Sequence, residues 1–278
     1  MERRTALLYV ACMNSVRPIG DHLREWRQRR RLSQLDLALE ADISAKHLSF
    51  LETGRAQPSR DMVLHLAERL DVPLRERNVL LLSAGYAPLY AHRPLDDPAL
   101  RQARQAVDLV LKGHEPYPAL AIDRHWTLVA HNAAVPALMA SADPSLLQAP
   151  VNVLRLSLHP KGLAPRIANL PEWRAHLLMR LRQQIDVTAY GELIKRLDEL
   201  SGYPAPGGGK MARTTLKDEY AGVVVPVQFI TETGILSFFS TTTIFGTPVD
   251  VTLSELAIES FFPADAATAE RLRGAKPS

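Results

Sequence analysis

Residues 33–55, Ser33-Gln34-Leu35-Asp36-Leu37-Ala38-Leu39-Glu40-Ala41-Asp42-Ile43-Ser44-Ala45-Lys46-His47-Leu48-Ser49-Phe50-Leu51-Glu52-Thr53-Gly54-Arg55, spell two short helices with a start and a stop for each. Ser33 has the side chain of an N-cap, whose hydroxyl accepts from a backbone N–H that a helix start leaves unpaired, so Gln34 takes the first helical position. Leu37, Ala38 and Ala41 then recur at helical spacing. After Asp42 and Ile43, Ser44 is a second N-cap, opening a helix that turns Leu48 and Leu51 toward a core. Gly54 ends it, because glycine tolerates the left-handed backbone that terminates helices. Small Ala38 and Ala41 let the pair approach closely, and two short helices about a tight turn make a helix-turn-helix.

Working outward, Gly20 to Arg30 reads as a preceding helix with Leu23 and Trp26 on one face, ending in the basic run Arg27, Arg29, Arg30, Arg31. Past Pro58, Arg60 to Leu70 and Leu74 to Ala84 add two more helices around the break Asp71-Val72-Pro73. The expectation is an all-α bundle of about five helices over residues 20–86. Through Tyr86 the chain holds 14 Lys+Arg against 11 Asp+Glu, which accounts for its whole net charge of +3. A basic bias confined to one module suits a surface that meets phosphates.

The series Ser33-Gln34, Leu37-Ala38, Ile43-Ser44, Leu48-Ser49, Glu52-x-Gly54-Arg55 and Pro58-Ser59 resembles the phage-repressor/Cro-like (XRE) helix-turn-helix family. The resemblance implies a third helix that enters the major groove of double-stranded DNA. It carries Ser44, Ala45, Lys46 and Ser49 to the groove, Gln34 to the backbone or an outer base, and Arg55 to a phosphate. Gln34 and Ser44 also read as plain helix-start residues, and Arg55 as a solvated charge. Phe50 reads either as a bundle plug or as a contact to a thymine methyl, and Glu52 as a buried structural carboxylate. One such helix reads only a few base pairs, so a homodimer on half-sites about 34–36 Å apart is expected.

Residues 87–98 carry prolines without periodicity and read as a linker. From residue 99 to 278 the pattern is mixed. Leu100 to Lys112 is an amphipathic helix. Ala119 to Ile122 and Trp126 to Ala130 form a hairpin about Asp123-Arg124-His125, and Ala133 to Met139 a helix. Leu170-Pro171-Glu172 opens a long helix through Ile185, and Glu192 to Leu200 a shorter one. Strands are expected at Gly222 to Val227, Gly234 to Thr241 and Glu255 to Phe262, with a last helix from Asp265. Gly207-Gly208-Gly209 lacks the phosphate-cradle pattern and reads as a turn. The fold class is α+β, a helical bundle followed by a mixed domain with an antiparallel sheet.

Trp126 with His131-Asn132-Ala133, Asn152-x-x-Arg155, His159-Pro160-x-Gly162, Phe245-Gly246-Thr247-Pro248-x-Asp250 and Glu255-Leu256-x-Ile258-Glu259-Ser260-Phe261-Phe262-Pro263 resemble the MmyB-like regulator ligand-binding domain, which is PAS-like. That resemblance implies an apolar pocket for a small effector, with a fatty acid as the leading candidate. A carboxylate would need a polar mouth, for which Asn132, Arg155 and His159 are the candidates, with Trp126 as core or ligand wall. Asn132 also reads as a helix cap, His159 as a turn residue and Arg155 as an ion-pair partner.

The chain shows no HExxH, GxSxG, Walker loop or GxGxxG after a strand, and its nine histidines pair into no metal-ligand spacing, so an enzyme is not expected. No cofactor is expected beyond a bound lipid-like effector. Residues 1–19 read as a disordered leader. Cys12, the only cysteine, lies within it, so no disulfide can form inside the chain, which suits the cytoplasm. No stretch approaches the roughly 18 apolar residues of a membrane span. Two functions fit: a regulator whose effector modulates DNA binding, or a DNA-anchored dimerisation or protein-interaction module without a small-molecule ligand.

Overall fold

A computed structural model describes residues 17–204 and 225–274. The leader through residue 16, including Cys12, the triple glycine and the start of the strand expected from Gly222 lie outside the described residues. The described residues form two compact units that divide after His92, with residues 249–251 grouped with the first.

The first unit holds five helices: α1 (Ile19–Arg29), α2 (Gln34–Glu40), α3 (Ala45–Glu52), α4 (Arg60–Arg69) and α5 (Leu74–Ser83). Ser33, Ser44 and Ser59 each cap a helix with a hydroxyl that accepts from the backbone N–H three residues on. The Ser33 cap is reciprocal, since Asp36 accepts from the Ser33 N–H at 2.8 Å. The stops are left-handed residues: Arg31, Asp42, Gly54 and Asp71 follow α1 to α4 with φ of 58°, 51°, 72° and 46°. Leu23, Leu37, Leu48, Leu51, Leu66 and Leu80 fill the core. Gly20 sits where α1 crosses the end of α3. A Cβ there would lie 2.5 Å from the Glu52 carbonyl oxygen, so only glycine permits that approach.

The second unit runs α6 (Arg101–Gly113), β1 (Ala119–Ile122), β2 (Leu128–His131), α7 (Val135–Met139), α8 (Val153–Leu158), α9 (Leu170–Thr188), α10 (Gly191–Ser201), β3 (Val227–Thr231), β4 (Gly234–Ile244), α11 (Val251–Ser254), β5 (Ala257–Pro263) and α12 (Ala266–Gly274). The five strands make one antiparallel sheet in the order β2-β1-β5-β4-β3. This arrangement agrees with the α+β, PAS-like expectation. Alternation along the strands separates two cores. Leu120 and Ile122 join the larger one with Leu154, Leu156, Leu177, Leu181 and Phe238, while Ala119 and Ala121 pack with Val107 and Leu111 of α6 on the opposite face. No helix among the described residues is long and apolar enough to cross a membrane.

Several strand boundaries differ from expectation, two of them for a local reason. Trp126 belongs to the turn, not to β2. Asp123 accepts from the backbone N–H groups of His125 and Thr127, both at 2.8 Å, and this side-chain clamp holds Trp126 at φ 64°. Of the strand expected over Gly222 to Val227, only Val227 belongs to the described β3, which starts there, after Pro226 with no N–H for a ladder, and runs on to Thr231.

Candidate functional site

Helix α3 starts where Ser44 accepts from the His47 N–H at 3.1 Å. Leu48 and Leu51 point to the core, Lys46 is exposed, and Ala45, Ser49 and Phe50 are half-buried. The Lys46 ammonium lies 5.7 Å and the Arg55 guanidinium 5.9 Å from the Phe50 ring, so the ring is flanked by two cations. Thus Phe50 is a partly exposed surface aromatic and not a full plug.

Behind α3, Glu52 is 2 % exposed. It accepts from Arg27 Nε at 2.6 Å, from Arg27 Nη2 at 2.9 Å and from Gln34 Nε2 at 2.8 Å. Burial pushes the Glu52 carboxyl up, but these donors outweigh it and hold the group below the usual carboxylate range. The Gln34 amide is therefore tied to the carboxylate that joins α1 to α3, a second task that its helix-start position did not reveal. The basic run at the end of α1 is largely structural as well. Arg27 is buried against Glu52, Arg29 pairs with Glu25, and Arg30 donates to the carbonyls of Leu70 and Asp71 at the end of α4.

In the second unit a cavity of about 100 Å³ lies between the sheet and helices α7, α8 and α9. Leu120, Leu138, Leu156, Leu177, Phe229 and Phe261 are among its apolar walls, with Trp126 and Trp173 beside them. Trp126 is 7 % exposed and donates its ring N–H to Gln184 at 2.7 Å, so it serves the core and the wall together. Trp173 donates to Ser157 at 3.0 Å.

None of the other three expected mouth residues lines this cavity. Asn132 is buried and fully engaged: its Oδ1 accepts from Ala119 and Ala134, and its Nδ2 donates to Leu111 and Tyr117. It ties α6 to the β1–β2 hairpin. Arg155 donates twice to Glu199, at 2.6 and 2.9 Å, joining α8 to α10. This pairing, foremost among the causes, holds the Glu199 carboxyl down at about 2. Burial, then the bond to Glu199, pushes the Tyr203 hydroxyl up to about 12. His159 accepts from the Lys161 N–H and orders the turn that leads to Gly162. A Cβ on Gly162 would fall 2.1 Å from the Leu156 carbonyl oxygen.

Four residues with polar side chains that border the cavity, whose wall is otherwise apolar, escaped the sequence reading. Arg180, Glu259, Ser157 and Ser240 line it. Glu259 is 4 % exposed and accepts from Arg180 Nη2 at 2.6 Å and from Thr242 at 2.9 Å. Strand register explains the cluster: Glu259 of β5 stands opposite Leu120 of β1 and Thr242 of β4, so the three share one face of the sheet. A signal was present in an acidic residue within the apolar run Ala257–Pro263 and a basic one on the face that carries Trp173 and Leu177 of α9.

Among curated proteins nothing matches the chain. One solved structure, of an RNA-binding light-oxygen-voltage receptor, aligns over 98 % of this chain at 14 % identity with a TM-score of 0.26, and the alignment spans 65 % of that protein's length. A likeness so loose bears on neither fold nor function. Residues 18–80 match a helix-turn-helix domain family. Both matched families belong to transcription regulation and not to catalysis. Residues 103–275 match the MmyB-like transcription regulator ligand binding domain, and the chain, a DNA-binding helix-turn-helix regulator, belongs to that family.

Proposed function

We propose that this regulator binds double-stranded DNA as a homodimer, with α3 in the major groove, and that a small apolar effector in the cavity of the second unit alters that binding. On the DNA side, Lys46 is the principal base contact, Ser44, Ala45 and Ser49 approach base edges or sugar, and Arg55 with the Gln34 end of α2 meets phosphates. Two copies are needed because one helix spans too few base pairs for specificity.

The observation that carries the effector reading is the cavity, apolar on nearly every side and set between the sheet and three helices. A purely structural interaction module has no use for unfilled apolar volume, which forfeits packing contacts. The occupant is a molecule with an aliphatic body, the class to which a fatty acid belongs. It acts by binding one conformation of the protein more tightly than another, since equal affinity would shift nothing.

The test is to select operator DNA from a random pool and follow its binding by fluorescence anisotropy, with and without lipid extracted from the purified protein. A change in operator affinity on adding the lipid is expected, with light scattering that shows two protein chains per operator. Affinity indifferent to every extracted lipid would sink the effector reading, and a monomer on the operator would sink the dimer.

A further inference from the structure

Of the large apolar side chains of α3, Leu48 and Leu51 are fully buried, whereas Phe50 is only half-buried. At about 100° per residue, Phe50 falls with Lys46 and Thr53 on the face of the helix opposite Leu48, Leu51 and Glu52. Lys46 and Thr53 are exposed there. The core of the bundle therefore does not account for the ring.

The end of α3 fixes its neighbours. The Phe50 carbonyl accepts from the backbone N–H groups of Arg55 at 2.9 Å and of Ala56 at 3.1 Å, which folds the turn at Gly54 back along the helix. The Arg55 guanidinium then lies 5.9 Å from the ring centre, and the Lys46 ammonium, one helical turn before Phe50, lies 5.7 Å from it. The ring stands between the cation proposed to meet a base and the cation proposed to meet a phosphate.

The chemistry of the groove narrows what a phenyl ring meets in that place. A phosphate is an anion and is repelled by the negative face of the ring. The donors and acceptors of the base edges find no hydrogen-bond partner on it. The apolar group that the major groove displays is the C5 methyl of thymine. The favoured partner of a lysine there is guanine, through O6 and N7. The distance from ammonium to ring spans roughly two base-pair rises of about 3.4 Å each.

Resting on the DNA-binding reading above, we propose that Phe50 is a specificity-determining residue that packs on the C5 methyl of a thymine, within about two base pairs of the guanine met by Lys46.

The test uses the full chain and an operator selected from a random pool. Each thymine of a half-site is replaced in turn by deoxyuridine, which removes the methyl and keeps every hydrogen-bonding group, and affinity is read by fluorescence anisotropy. One position is expected to weaken binding about fourfold for each half-site, the effect of leaving one methyl unburied. 5-Iododeoxyuridine at that position, irradiated in the complex, should crosslink to Phe50, located by mass spectrometry. Uracil tolerated at every position, or a crosslink that falls on another residue or on none, overturns the role of Phe50 and leaves the DNA-binding reading standing. Failure to select any operator overturns both. Both measurements are made on the unaltered chain, so no folding defect of a variant can mask the result.

Discussion

Arg27–Glu52 in the helical unit and Arg180–Glu259 in the sheet unit have similar geometry, each with a shortest contact of 2.6 Å and a carboxylate almost sealed from solvent. Their surroundings differ. Around Glu52 the chain adds a hydrogen bond from Gln34 and an ion contact with Arg24 at 3.6 Å. Around Glu259 the chain supplies Thr242 and leaves one side of the pair against apolar volume. The contrast separates two uses of the same chemistry. A pair closed within the helical unit fixes how its helices meet, whereas the pair beside the cavity ties α9 to the sheet.

The sharpest break is expected on the closed side. Glu52→Ala leaves Arg27 buried without a counter-charge and should cost the helical unit about 3–5 kcal/mol, seen as a loss of its unfolding transition in calorimetry. A cost below about 1 kcal/mol would class the pair with surface bridges. Next comes the exposed face that this pair supports. Lys46→Ala should leave the melting temperature unchanged but weaken operator binding by about 1–3 kcal/mol, and an affinity equal to that of the unaltered chain at every salt concentration removes Lys46 from the DNA face.

The smallest effect concerns a third pair, Arg155–Glu199, which lies nearer solvent and is more screened. Glu199 has its folded value held at about 2 against an ordinary 4.5. Its contribution to stability is therefore full above pH 4.5 and is lost as pH falls from 4.5 toward 2. Glu199→Gln should flatten the decline of the melting temperature across that window, and identical slopes for the two proteins would show that the pair adds nothing.

The helical unit was legible because its information is local. Ser33 and Ser44 cap the helices that follow them within three residues, and the leucines of α3 announce their core face by spacing alone. Even there, Asp42 and Arg31 take the left-handed stops that composition would have given to glycine, and Gln34 turned out to be tied to Glu52. In the sheet unit the elements were largely legible. Their edges were not where a side chain overruled the pattern, as Asp123 does for Trp126.

The candidate mouth residues show why motifs mislead about pockets. Asn132, Arg155 and His159 stand out in a sequence because the fold needs them, as a strut between α6 and the hairpin, a clamp between α8 and α10, and a turn. Asn132, with its oxygen and its nitrogen both engaged, is the residue among them whose hydrogen-bonding capacity the fold takes up on both atoms.

By itself the sequence determined the five-helix unit, the exposed start of α3, the mixed nature of the second unit and the absence of catalytic motifs, since capping, periodicity and alternation act within a few residues. Only the tertiary structure decided where the cavity lies and which charges face it. Arg180 and Glu259 are 79 positions apart, and what brings them together is strand register and the packing of α9 on the sheet.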